Sequence, residues 1–102
     1  MFLRIEFTSH ALAKLGIVGV TKEMVEKGLS NPSEVFRDSE KSLFVGTSKL
    51  RDGILVLVYR SDRAIPGRDD KVTIVTIYYT SKVDRLIESK LRRRVWVRLA
   101  KR

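Results

Sequence analysis

The sequence predicts an α+β domain: two short N-terminal helices packed on a four- to five-stranded antiparallel sheet, with a basic C-terminal helix and tail. Three observations predict it. Between residues 8 and 31 apolar side chains recur at helical spacing behind hydroxyl caps. From residue 34 to residue 80 they follow strand patterning instead, in runs divided by Asp52-Gly53 and Pro66-Gly67. KVDRLIESKL, residues 82–91, then returns to helical spacing and hands over to an arginine-rich end. A chain of 102 residues fits one domain, in which folding hides roughly 60–70% of the unfolded surface. Residues 92–102 form a basic extension of that domain.

Leu3, Ile5 and Phe7 alternate with Arg4 and Glu6, which places them on one face of a first strand. Thr8 or Ser9 then caps a short helix over His10–Leu15, and Gly16 can take the left-handed conformation that ends it. Thr21 caps a second helix, Lys22–Leu29, with Met24, Val25 and Leu29 inward; Asn31-Pro32 stops it, because the residue before proline avoids helical torsions. Strands follow from Val35, over Ser42–Leu50, over Ile54–Ser61 and over Lys71–Thr80. Asp52-Gly53 predicts a tight hairpin whose two central residues both have positive φ, and Ala64–Asp70 a longer hairpin loop. ILVLVY and VTIVTIYY are apolar on both faces, which predicts central strands covered on both sides. Two short helices cover only one side. The C-terminal segment or a second protomer is therefore expected on the other, and a homodimer is a candidate state. Val83, Leu86, Ile87 and Leu91 line one side of the third helix; beyond it, Val95, Val97 and Leu99 alternate with Trp96 and Arg98, as a short edge strand or a distorted helical continuation would.

The net charge is +9, and most of it is C-terminal: residues 1–81 carry 12 basic and 10 acidic side chains, residues 82–102 carry 9 and 2. Such an end attracts RNA or another polyanion. The chain has no cysteine and one histidine, which excludes disulfide frameworks and thiolate metal sites. MFLRIEF lacks the apolar core of a signal peptide and no run approaches a membrane span, so a cytoplasmic location is expected. Abundant Lys, Arg, Glu, Val and Ile without glutamine match the composition of proteins from hot environments.

FTSHALAKL, VTKEMVEKGLSNPSEVF, ILVLVYRSD and TIVTIYYTSKVDR, spanning residues 5–85, together resemble the family called domain of unknown function 4258. His10-Ala11, Asn31-Pro32 and Thr76-Ile77-Tyr78 carry the likeness. That family is in turn similar in element order and charge to the RelE/ParE-like toxins. The resemblance implies a small basic fold, metal-independent cleavage of RNA, no cofactor and an acidic antitoxin-like partner.

His10 is the candidate proton acceptor for attack by a ribose 2′-hydroxyl. Its alternative is a ring bonded to a nearby backbone carbonyl, fixing the strand-to-helix corner. Arg60 and Tyr79 lie at the ends of two neighbouring strands; Arg60, with a tyrosine hydroxyl beside it, could hold the scissile phosphate and stabilise the charge that grows during cleavage, and Tyr79 is the alternative to His10 for moving protons. Alternatively the tyrosines Tyr59, Tyr78 and Tyr79 are core or interface rings and Arg60 pairs with Asp62 or Asp70. Arg92, Arg93 and Arg94 with Trp96 and Arg98 form the candidate nucleic-acid surface, since guanidinium forks match phosphates and an indole stacks on an unpaired base. Their alternative is a solvated helix end with Trp96 in the core. The acidic pairs Asp38/Glu40 and Asp69/Asp70 fall in predicted turns, where carboxylates bond the local backbone, so no metal is assigned.

Overall fold

In the computed structural model, which describes residues 4–67, 69–81, 89–90 and 95–101, the chain runs β1 (Arg4–Phe7), α1 (Ser9–Val18), α2 (Lys22–Ser30), β2 (Glu34–Asp38), β3 (Leu43–Leu50), β4 (Gly53–Arg60), β5 (Lys71–Thr80) and β6 (Trp96–Lys101). The strands form one sheet in the order β1-β5-β4-β3-β2-β6. An α+β arrangement results, but the expected four- to five-stranded antiparallel sheet is corrected to six strands and mixed pairing. β2 to β5 form the antiparallel meander. β1 joins the free edge of β5 in parallel, a register that sets Ile5 beside Val72 and Phe7 beside Ile74. The other addition is β6, antiparallel to β2 at the opposite edge. Among the described residues the C-terminal part thus contributes an edge strand where a helix and tail were expected; Ser89 and Lys90 are helical, and the rest of the expected helix lies outside the described residues.

Each face of the sheet carries its own apolar cluster. α1 and α2 cover the first face, where Ala11, Val25 and Leu29 meet Leu55, Leu57, Tyr59 and Ile77. On the second face Phe36, Val45, Val56 and Val58 gather around Trp96. β4 supplies both clusters because successive side chains point to opposite faces, which is why ILVLVY is apolar throughout. At Gly28 an added Cβ would stand 3.1 Å from both Leu57 and Ser48, so glycine there is what lets α2 lie close on the sheet.

Two glycine assignments change. α1 runs through Gly16 and ends at Gly19 (φ 78°), where the amides of Gly19 and Val20 both donate to the Leu15 carbonyl. Val20 is buried beside Leu15, and this contact across the helix end decides between two possible stops. The β3–β4 hairpin turns at Arg51 and Asp52, with Leu50 paired to Gly53. Arg51 takes the positive φ (55°), and Gly53 does not.

Thr8 joins three elements. Its hydroxyl accepts from the Ala11 amide (3.1 Å), capping α1, and donates to the Val75 carbonyl (3.0 Å). That carbonyl is available because β5 bulges: Val58 pairs with Thr76 and Tyr59 with Ile74, which leaves Val75 without a partner on β4. Thr8→Val removes the cap and leaves the bulge carbonyl without its donor, with an expected loss of about 1–2 kcal/mol in urea denaturation. Thr8→Ser should retain most of the stability; equal losses in both variants would show that the hydroxyl is not what matters.

Candidate functional site

Among the described residues the second face of the sheet is indented between β5 and β6. Among the described residues a groove of about 540 Å³ runs there, floored by Val45, Val58 and Val75. Thr76, Tyr78 and Thr80 form its β5 side, and Lys41, Lys90 and Trp96 its opposite side. Alternation along β5 builds the first of these walls. Beyond the bulge at Val75, Ile77 points to the helices, whereas Tyr78 is 43% exposed and pairs with Val56 of the second face.

α1 supplies the rim. His10 Nε2 lies 3.0 Å from the Thr76 hydroxyl, and Lys14 Nζ lies 5.6 Å from the centre of the Tyr78 ring. The two contacts match because four helical residues rise about 6 Å and two strand residues about 6.6 Å. One turn of α1 is therefore in step with one side-chain repeat of β5. Among the described residues the single acid on the groove wall, Asp38, is turned inward: its Oδ1 accepts from the amides of Glu40 and Lys41 at 3.0 Å and shapes the β2–β3 turn. Among the described residues the accessible charges of the groove wall are those of Lys41 and Lys90, and Lys14 adds a third beside Tyr78.

Of the candidate catalytic residues, His10 stands at this rim and Tyr79 contributes to the groove lining, though its hydroxyl is engaged elsewhere. The partner of His10 is a side-chain hydroxyl, not the backbone carbonyl of the alternative reading. Arg60 and Tyr79 are not brought together. Arg60 lies opposite Thr73 and Tyr79 opposite Leu55, five β4 residues apart, a separation of roughly 17 Å. The reason is antiparallel pairing, which puts the C-terminal ends of adjacent strands at opposite ends along the strand direction. Tyr79 also points to the helix-bearing face, where its hydroxyl donates to Asp52 Oδ1 (2.7 Å) with the Leu50 carbonyl at 3.0 Å. Hydrogen bonding to Asp52, followed by desolvation, holds its acidity below that of ordinary tyrosine, so the hydroxyl stays protonated and engaged under the hairpin. Tyr59 is a core ring whose hydroxyl donates to the Ala64 carbonyl, and burial raises its pKa.

The C-terminal surface is also rearranged. Trp96 is 5% exposed and packs on Phe36 with ring centres 5.3 Å apart, so its indole is not available to stack on a base. Arg98 Nε donates to Glu34 Oε2 at 3.0 Å, and its guanidinium sits over Phe36. Both side chains fasten β6 to β2. Arg92, Arg93 and Arg94 lie outside the described residues. Asp70, offered as a partner for Arg60, instead accepts from the Gly67 amide (2.7 Å) and pairs with Arg63 (3.5 Å). Among the described residues no three of His, Cys, Asp and Glu gather as a metal site would require.

The chain matches no family model, no curated protein and no solved structure. No described helix is long and apolar enough to cross a membrane. The groove's chemistry therefore rests on its own geometry: an apolar floor, one exposed aromatic ring, three ammonium groups and an imidazole. Tyr78, Lys14, Lys41 and Lys90 are groove residues that sequence reasoning does not assign to a site. Lys14 stands one helical turn after His10, and Tyr78 alternates with the inward Ile77 and Tyr79; both signals are in the sequence once α1 is known to lie along β5.

Proposed function

We propose that the protein binds single-stranded RNA in the groove on the second sheet face, with a base stacked on Tyr78 and phosphates held by Lys14, Lys41 and Lys90. One observation carries this reading: a tyrosine 43% exposed on a groove wall where every accessible charge among the described residues is a cation. Stacking on an aromatic ring is tolerant of base identity, and ammonium groups along the wall follow a phosphate backbone. The net charge of +9 favours encounter with such a polymer. The resemblance to the domain of unknown function 4258 family and to RelE/ParE-like toxins supports the same ligand class.

Affinity for a short uridine-rich RNA should fall steeply with salt. Replacing Lys14 and Lys41 by alanine should reduce that slope by roughly 0.7 for each phosphate no longer neutralised. Tyr78→Ala should weaken binding roughly 5- to 150-fold with little change of slope, since it removes stacking and no charge. No binding at low salt, or wild-type affinity in Tyr78→Ala, would sink the assignment.

A second reading, metal-independent cleavage of the bound RNA, is favoured by the position of His10, exposed at the rim within one turn of Lys14. Its ring could take the 2′-hydroxyl proton of a nucleotide seated beside Tyr78. Incubation of RNA in EDTA with the wild type and with His10→Ala separates cleavage from binding alone. Products from the wild type and none from the variant are expected; intact RNA in both leaves a binder that does not cut.

A further inference from the structure

Given the RNA-binding reading above, on which this rests, we infer that Thr76 is the residue by which the groove distinguishes ribose from deoxyribose, its hydroxyl meeting the 2′-hydroxyl of a nucleotide stacked on Tyr78. Val45, Val58 and Val75 floor the groove, and Thr76, 8% exposed, lines it beside them. Valine has the same branched outline and suits a strand equally well, whereas a buried hydroxyl costs free energy unless it is hydrogen-bonded. Threonine at this position therefore calls for a use of its oxygen.

Holding α1 to the sheet is not that use. Thr8 already does so, its amide donating to the Ile74 carbonyl and its hydroxyl to the Val75 carbonyl, both at 3.0 Å, with Ala11 and Leu15 packed in the core behind it. Among the described residues the Thr76 hydroxyl has one partner, His10 Nε2 at 3.0 Å. A hydroxyl offers one donor and two acceptor sites, and the imidazole takes one of them. Where Nε2 carries the ring proton, Thr76 keeps its own O–H to give; where Nε2 is bare, Thr76 gives that proton to the ring and keeps its lone pairs. A 2′-hydroxyl both donates and accepts, so it matches either state, and a deoxyribose carbon matches neither.

Register places that hydroxyl where a sugar would lie. Thr76 and Tyr78 stand two residues apart on the groove side of β5, about 6.6 Å along the strand, a step close to that from a stacked base to the hydroxyl of its own ribose. Lys14 lies beside Tyr78, one helical turn from His10, and leaves a cation for the phosphate flanking the same nucleotide. The valines shelter Thr76, so a deoxyribose seated there leaves its spare hydrogen-bonding capacity unpaired against apolar surface. A site that bonds a substrate hydroxyl rejects the analogue lacking it for this reason.

Affinities of the full chain for a uridine-rich RNA and for a deoxyuridine oligomer of the same length, measured at one salt concentration, should differ by roughly 5- to 20-fold in favour of the RNA. Thr76→Val should bring that ratio close to one, and Thr76→Ser should keep most of it; an α1 contact of purely structural value would leave the ratio unmoved. A second measurement needs no variant: RNA methylated on every 2′-oxygen loses the donor and crowds Thr76, so it should bind no better than the deoxyuridine oligomer. Equal affinity of the wild type for the RNA and deoxyuridine oligomers, methylated RNA bound as tightly as plain RNA, or an unchanged ratio in Thr76→Val would overturn the inference. Weakening of both oligomers by Tyr78→Ala would then show that the groove still binds single strands, whereas no binding of either oligomer at low salt would remove both readings together.

Discussion

Trp96→Ala is expected to lower the stability of the folded chain by about 3–5 kcal/mol, a large part of what a domain of this size possesses. The indole is 5% exposed, tilted 32° against the Phe36 ring, with the Lys90 ammonium 6.0 Å from its centre. It is also the main anchor of β6. On that strand Val97 and Leu99 are nearly half exposed, and Arg98 adds one exposed ion pair to Glu34, which contributes little by itself. Removing the indole therefore opens a cavity against Phe36 and releases the edge strand together. Equilibrium urea denaturation measures the loss, and Trp96→Phe should recover most of it. The same pair of variants separates core from ligand contact: Trp96→Phe should bind RNA as the wild type does. A stable Trp96→Ala with weakened RNA binding would reverse that conclusion and return the indole to the nucleic-acid surface.

The contrast between Trp96 and its neighbours shows where sequence patterning stops being informative. Alternation over residues 95–99 admits both an edge strand and a helical continuation, of which the strand Trp96–Lys101 forms; it is also symmetric between the two faces, and three aliphatic residues outnumber one indole. The observed face is set by partners far away in sequence, Phe36 on one side and the Glu34 carboxylate for Arg98 on the other. Local signals fare better: Thr8 and Thr21 cap their helices, and Asn31 ends the second, because those interactions lie within three or four residues. The parallel placement of β1 depends on which edge of the meander is free when the chain closes, and that is a property of the whole fold. The same limit applies to the candidate site. Composition singles out the one histidine but not its neighbours, since Thr76 and Tyr78 stand more than sixty residues away and meet α1 only through the bulge at Val75. Arg60 and Tyr79 share only their positions at strand ends, a criterion that antiparallel pairing defeats.

Gly53→Ala is expected to cost about 2–3 kcal/mol, at the upper end of ordinary overpacking. Turn conformation is not the cause, because Gly53 has no positive φ and alanine could adopt its backbone. The obstacle is the Tyr79 ring: an added Cβ would stand 2.7 Å from its Cζ and hydroxyl oxygen and 2.9 Å from the Thr80 carbonyl oxygen. The ring cannot swing aside without breaking the bonds from its hydroxyl to Asp52 and Leu50. A double-mutant cycle tests this, since residues in contact should be strongly non-additive. In a Tyr79→Ala background, Gly53→Ala should cost much less, with only the approach to Thr80 remaining. The hydroxyl leaves a separate signature in acid. Its hydrogen bond is the largest cause holding the Asp52 carboxyl below its ordinary value of 3.8, so this contribution to stability is present above that pH and disappears as pH falls through the lowered folded value. Tyr79→Phe should accordingly flatten the acid limb of the stability curve below about pH 4 while leaving the Gly53→Ala penalty in place, because the ring remains. Were Gly53→Ala equally costly in the Tyr79→Ala and wild-type backgrounds, the ring would not be the obstacle, and the penalty would belong to the backbone at Thr80.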